Sequence, residues 1–327
     1  MNLQIEKNSC GVCGHDCLGG DCVAGQCQAM MLGRYDRYFG DNALSIGADY
    51  VYGKGETNLV TRARKDGTSL TTQPLPTFAT SGCGGGGGEE IDGRFFYQWY
   101  DGATCRMAFC SLTDCDGSTT AFSSAAPSSY VHGFALDRAM SRVFWYDGTS
   151  MRFLVAPTTG TPMPASIPSA DVTNDGSWVR YASGGLVFQN GSELLRLPAS
   201  GGVLTGLGTA ALVNYFATPT RLYWASAGAI YYLALPTGSG GPQKIVDSTA
   251  WQIWTDDKDL YWTDTRSHIQ KCRLDNCAGS IQSVFTSGCS LTSLGGEGNA
   301  LYWLQMGSCP APGNAAGDRA QIWKIAR

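Results

Sequence analysis

An all-β ring of repeated units is the fold class this sequence predicts, on three observations. The first is an aromatic strand that returns seven times, as Tyr50-Val51-Tyr52, Phe95-Phe96-Tyr97, Val143-Phe144-Trp145, Leu186-Val187-Phe188, Leu222-Tyr223-Trp224, Leu260-Tyr261-Trp262 and Leu301-Tyr302-Trp303. Their last members lie 45, 48, 43, 36, 38 and 41 residues apart. A period of roughly 40–45 residues built from short strands is that of a propeller blade. The second is composition: 43 Gly, 9 Trp and 15 Tyr with only 15% charged residues, a mix suited to short strands joined by tight turns. The third is a start dense in cysteine. Together they predict a seven-bladed β-propeller of four-stranded antiparallel blades, its ring closed by an N-terminal strand and preceded by a small disulfide-rich module.

Each unit reads in the same order. A polar turn leads to a first strand, then the aromatic strand, then a third strand of apolar–basic alternation, then a Gly/Pro/Ser turn and a short fourth strand. The clearest copy is Trp251-Gln252-Ile253-Trp254, the turn 256–259, Leu260-Tyr261-Trp262-Thr263-Asp264, Ile269–Leu274 and Ile281–Phe285. The unit 212–248 matches it with Leu222-Tyr223-Trp224, Ile230–Leu233 and Lys244-Ile245-Val246. A period of two puts one face of each strand toward each neighbouring blade, and blades that splay outward need large aromatics between them. The last copy stops at Ile322–Arg327, a third strand without a fourth, while a spare strand, Ala29-Met30-Met31-Leu32-Gly33, precedes the first copy. Pairing the two removes exposed edges. The expected domains are therefore a cysteine-rich module over 1–28 and a propeller over 29–327, with 29–33 closing the last blade. A six-bladed ring with one irregular unit is the alternative. The first copy, charged over 54–70, is the weakest.

The net charge is −4 with no basic run, which argues against nucleic acid, because phosphate binding needs clustered Lys and Arg. No apolar run approaches the ~18 residues of a transmembrane helix. Thirteen cysteines point to an oxidising compartment. No secretory signal precedes them, so Met1 is expected to be an artificial or processed start after removal of an export signal.

The strand Leu260-Tyr261-Trp262-Thr263-Asp264 resembles the YWTD strand of low-density-lipoprotein-receptor-type propellers. The start, Cys10-Gly11-Val12-Cys13-Gly14-His15-Asp16-Cys17 with Cys22 and Cys27, resembles stigma-specific-like (Stig1-type) modules. A Cys-rich leader before a propeller is similar to secreted or surface proteins of myxobacteria and related bacteria. The resemblance implies a secreted, periplasmic or outer-surface location, with anchoring through a removed N-terminal segment. In Stig1-type modules a further cysteine sits just upstream of the matching Asn-Leu-Gln stretch. Here Met1 stands near that place, which supports truncation.

Internal comparison pairs the later cysteines. Cys110 and Cys115, like Cys272 and Cys277, each end a third strand with four residues between them, so each bridge would staple a hairpin to the fourth strand. Phe78–Cys83 echoes Phe285–Cys289, each cysteine lying 14 residues before its blade's key aromatic. Cys105 and Cys309 follow those aromatics by eight and six residues. This predicts Cys83–Cys105 and Cys289–Cys309. Five cysteines remain in the leader, and an odd number leaves one over. Cys10-x-x-Cys13 with His15 and Cys17 has zinc-like spacing, but the dense spacing favours disulfides. No metal or cofactor is expected.

Propeller ligands bind at the axial mouth formed by loops leading into first strands and loops joining second to third strands. Candidates there are His132, entering a first strand, and the loop Asp264-Thr265-Arg266-Ser267-His268, the most polar of its kind. Asp101, Asp147 and Asp264 recur at one blade position. They would ring the mouth with carboxylates for a cation or sugar hydroxyls, or serve simply as turn formers. Tyr215 and Trp251, on first strands, would stack a sugar ring if exposed and fill core if not. Asp114-Cys115-Asp116-Gly117 lacks the spacing and terminal Glu of a calcium loop. The glycine run 84–88 lacks the Lys and helix of a phosphate cradle. The expected function is an exported, non-enzymatic propeller that binds a protein or carbohydrate ligand at its axial face. The alternatives are a propeller lyase or hydrolase using channel His and carboxylates, and a structural surface or filament protein.

Overall fold

The computed structural model describes the chain apart from residues 1, 13, 36–38, 56–59, 69–72, 75–87, 101–103, 114, 116–119, 123–130, 149, 162, 169–178, 210–214, 237–239, 265–266 and 307–319. Seven four-stranded antiparallel sheets follow one another along the chain. Blade 1 is Phe39–Ile46, Tyr50–Gly55, Val60–Arg64 and Gln73–Pro74, and blade 2 is Glu89–Ile91, Arg94–Tyr100, Cys105–Ser111 and Thr120–Phe122. Blade 3 is Val131–Asp137, Arg142–Asp147, Arg152–Pro157 and Ala165–Ser166, and blade 4 is Arg180–Ala182, Gly185–Asn190, Glu193–Pro198 and Thr205–Thr209. Blade 5 is Tyr215–Ala217, Arg221–Ser226, Ala229–Ala234 and Gln243–Asp247, and blade 6 is Gln252–Thr255, Asp259–Asp264, His268–Arg273 and Gln282–Thr286. Blade 7 is Ser290–Glu297, Ala300–Met306 and Ala320–Ala326, completed by Met30–Tyr35 from the start of the chain.

That N-terminal strand pairs Met31 with Trp323, Gly33 with Ile322 and Tyr35 with Ala320, around a bulge at Leu32. It reaches beyond Gly33 because Arg34 and Tyr35 extend the same ladder. The ring closes as the first strand of blade 7 meets that of blade 1, and the edge of Ala320–Ala326 is covered.

The aromatic strands form the second strand of every blade, and their alternation builds the core. Leu222 and Trp224 pack toward blade 4, whereas Tyr223 packs toward blade 6. Leu260 and Trp262 face blade 5 and Tyr261 faces blade 7. Leu301 and Trp303 face blade 6 and Tyr302 faces blade 1. One buried cluster fills each seam, so no central core is needed. Each large side chain so buried contributes about 1.5–3 kcal/mol.

Blade 1 departs by one residue from the triplet alignment. Val51 faces blade 7 and Tyr52 faces blade 2, so the triplet equivalent to Leu301-Tyr302-Trp303 is Val51-Tyr52-Gly53. Both match from the turn, since Val51 and Leu301 are each second in their strands. Gly53 stands where other blades carry a large side chain.

Two faces result from the up-and-down order. Tight turns joining first to second strands lie on one. The second-to-third loops share the other, here called the loop face, with the connections into each blade. Asp92-Gly93, with φ of 52° and 72°, and Ser183-Gly184, with φ of 49° and 70°, are tight-turn examples. Positive φ at both central residues matches the strand twist.

Disulfides join Cys110 to Cys115 and Cys272 to Cys277, each tying the end of a third strand into a blade seam. Cys105 and Cys289 are also disulfide-bonded; Cys83 and Cys309 lie outside the described residues. The leader is a small module with bridges Cys10–Cys22 and Cys17–Cys27 and a two-stranded ladder, Cys22–Val23 with Gln26–Cys27. These bridges use the thiols that a zinc site at Cys10 and Cys17 would need. Leu18 and Met30 pack against the seam of blades 7 and 1. Among the described residues no helix is long and apolar enough to cross a membrane.

Candidate ligand-binding site

Blade 6 brings three of the sequence candidates to one edge of the loop face. Gln252 pairs with Thr263, and the Trp251 amide donates to the Thr263 carbonyl at 3.0 Å. One step further along the register, Trp251 stands opposite Asp264, and Asp264 pairs with His268. The row Trp251–Asp264–His268 therefore crosses three strands on one side of the blade. Leu260 and Trp262 face blade 5, so Asp264, in step with them, faces the same seam.

The polar contacts in this row are short. His268 Nδ1 lies 3.0 Å from Asp264 Oδ1 and 3.0 Å from Ser267 Oγ. Gln270 Nε2 donates to Asp264 Oδ2 at 3.4 Å. Asp264 and Ser267 both meet the imidazole at Nδ1 and so fix the orientation of its ring. The side chains of His268 and Asp264 are 39% and 28% exposed, and Trp251 is 37% exposed. A half-exposed indole beside a carboxylate–imidazole pair offers an apolar plane with donors and acceptors at its border, as ligand sites do.

The other candidates sit elsewhere. Tyr215 is not exposed: only 3% of it reaches solvent. It pairs with Trp224, whose side chain faces blade 4, and the period of two sends Tyr215 into that seam. Its hydroxyl donates to the Val187 carbonyl at 3.2 Å, and burial pushes its pKa up. Asp147, like Asp264, ends its second strand, but it is 3% exposed and accepts a 2.7 Å hydrogen bond from Ser150 Oγ. That bond ties it to its own turn. His132 lies on the first strand of blade 3, its backbone paired with Tyr146. Asp101, Arg266 and the side chain of His132 lie outside the described residues.

Sequence reading missed a second polar feature, on the tight-turn face. Tyr52 donates to Glu90 Oε2 of the next blade at 2.6 Å, and the Ala48 amide donates to Glu90 Oε1 at 3.1 Å. Tyr223 repeats the contact at the seam of blades 5 and 6, donating to Asp257 Oδ1 at 3.3 Å. Burial, then the hydrogen bond to Glu90, raises the Tyr52 pKa. Burial would raise the Asp137 carboxyl, but hydrogen bonds from Arg142, Tyr181 and the Met140 amide hold it below the usual range. A 530 Å³ cavity opens beside Glu90, Asp92, Arg138 and Glu297. The signal for these contacts was the Tyr recurring at the third position of the second strand.

No family model and no curated protein sequence matches this chain. Solved structures do. A streptogramin B lyase matches at 14% identity over 91% of this chain and 97% of its own, with a TM-score of 0.61. A catalytically inactive variant of virginiamycin B lyase from Staphylococcus aureus, with quinupristin, matches at 12% identity over 92% and 99%, with a TM-score of 0.62. The WD40 domain of Neurospora crassa Pan2 matches at 8% identity over 91% and 95%, with a TM-score of 0.62. At such identities the likeness shows the fold, a seven-bladed β-propeller shared by a lyase and a WD40 domain.

Proposed function

We propose that this chain is an exported, non-enzymatic propeller that binds a protein or carbohydrate ligand on its loop face, with the Cys-rich leader as a spacer. The row Trp251–Asp264–His268 carries the reading, since it exposes an aromatic plane beside an ordered donor–acceptor pair. The disulfides suit an oxidising environment. The YWTD-like strand and the Stig1-like leader fit a secreted or surface protein of the myxobacterial type, anchored through a segment upstream. Asp264 orienting His268 also favours a second reading, a lyase or hydrolase with His268 as general base. His132 lies on the first strand of blade 3 and His268 on the third strand of blade 6, so this reading rests on His268.

Capture with recovery separates the readings. Ligand bound from an envelope extract or an oligosaccharide mixture is released and identified by mass spectrometry. The binding reading predicts chemically unchanged ligand, capture lost in Trp251→Ala, and capture weakened but retained in His268→Ala. Product accumulating with the wild type and absent with His268→Ala would establish the enzyme instead.

A further inference from the structure

We propose that the cavity on the tight-turn face, where blades 7, 1, 2 and 3 converge, is a site for one organic cation. The ligand is an ammonium or guanidinium group on an apolar stem, held by the carboxylate of Glu90. It is separate from the ligand read onto the loop face, and neither reading depends on the other. The first strand of blade 7 touches that of blade 1, which touches that of blade 2, so these strands stand innermost in the ring. Their tight-turn ends border the 530 Å³ cavity through Ile46, Glu90, Ile91, Asp92 and Glu297, and Arg138 joins them from blade 3. That volume falls within the roughly 300–1,000 Å³ of small-ligand sites. Every turn joining a first to a second strand lies among the described residues, so this mouth of the ring is described in full.

Glu90 is the group that calls for a cation. It is 8% exposed, and its carboxylate accepts from the Tyr52 hydroxyl at 2.6 Å and from the Ala48 amide at 3.1 Å. Gly47 makes room for it, since a Cβ there would collide with Glu90 Oε2. Both donors are neutral, and among the described residues no cationic side chain bonds this carboxylate. Arg138 borders the same cavity but is turned elsewhere, donating to the Glu90 carbonyl oxygen and to the Glu89 carboxylate at 3.4 Å. A carboxylate offers about four acceptor sites, so acceptor capacity remains on Glu90 beside the cavity. A buried carboxylate without a counter-ion is costly. A ligand cation supplies the missing charge through charge-assisted hydrogen bonds.

The rest of the lining sorts the ligand. Ile46 and Ile91 offer apolar surface to a stem. Glu297 is already paired with Lys65, and Arg138 with Glu89. Asp92 accepts from Thr158 Oγ1 at 2.9 Å, a neutral donor. Once the ion pairs cancel, Glu90 and Asp92 leave the cavity negative, which disfavours an anionic ligand. A neutral alcohol would gain the stem contact alone. Among the described residues no three carboxylates here converge on one point, so the site suits an organic cation rather than a bare metal ion.

The test is titration of the folded, oxidised chain with n-butylammonium and n-butylguanidinium, with n-butanol and butyrate as neutral and anionic controls. Amide NMR reads the site directly, because the Ala48 N–H bonds Glu90. The proposal expects a cation to shift the Gly47, Ala48 and Asp92 amides saturably, with an affinity about tenfold or more above that of butanol. Butyrate should give no saturable shift there. Glu90→Gln keeps the size of the side chain and should weaken cation binding about tenfold, and Asp92→Asn should weaken it about threefold. Spermidine and the peptide acetyl-Gly-Lys-Gly-amide separate two sources of the same chemistry. Tighter binding of spermidine supports a free polyamine in the site, and tighter binding of the peptide supports a basic side chain of a protein. A butanol response equal to that of the cations, tighter binding of butyrate, or cation binding unchanged in Glu90→Gln would overturn the proposal. Should Glu90→Gln fail to fold, because Glu90 also ties blade 2 to blade 1, the wild-type comparison of the four butyl compounds decides alone.

Discussion

Tyr52 and Glu90 meet across a seam although 38 residues separate them, and such tyrosines give the molecule a specific response to alkali. Burial raises Tyr52 and Tyr215, and it pushes Tyr261 and Tyr302 up to about 12. In the unfolded chain a tyrosine gives up its proton near pH 10. Between that value and the folded pKa, the folded state holds more protons than the unfolded state, so stability falls as pH rises. Their contribution is fully present below about pH 10. Denaturation followed from pH 8 to 12 should therefore show a midpoint that is flat and then declines above about pH 10. Phenolate absorbance from these tyrosines should appear together with unfolding. A native protein in which all tyrosines ionise freely near pH 10 would contradict the burial assigned to them.

At the scale of the element, the N-terminal strand is the test of ring closure. Leu32 is fully buried where blade 7 meets blade 1. Leu32→Ala should cost about 2–5 kcal/mol, read as a lower denaturation midpoint with an unchanged slope. An unchanged midpoint would mean that the strand does not hold the ring. This strand was legible in the sequence because the last unit lacked a fourth strand and the chain offered a spare one. The second strands were legible for a similar reason: only large apolar side chains fill seams between splayed blades. Blade 1 was misaligned by a residue because Gly53 holds the position that Trp224, Trp262 and Trp303 hold elsewhere, so Tyr50 and Tyr52 drew the pattern to themselves. The sequence leaves Tyr215 open between core and ligand contact because a three-residue first strand is too short for its alternation to declare which residue faces the seam. The contact between Tyr52 and Glu90 was hidden because local sequence does not show which side chains meet across blades.

For the whole molecule, the closed ring turns small local differences into distinct surfaces. Seven similar blades set fourteen seam-lining faces in a fixed frame. The Ala227-Gly228 turn and the paired residues Asp264 and His268 fall on the loop-face ends of neighbouring blades. On the opposite face, Glu90, Asp92, Arg138 and Glu297 border a separate cavity. Hydrogen–deuterium exchange on the ligand-bound chain tests the central claim most directly, because it reports on both faces at once. The account predicts ligand-dependent protection concentrated at Ser226–Ala229, Ser248–Thr255 and Ser267–Gln270. Protection at Gly47–Ala48, Glu90–Asp92 and Arg138 instead, with no change in blade 6, would contradict it.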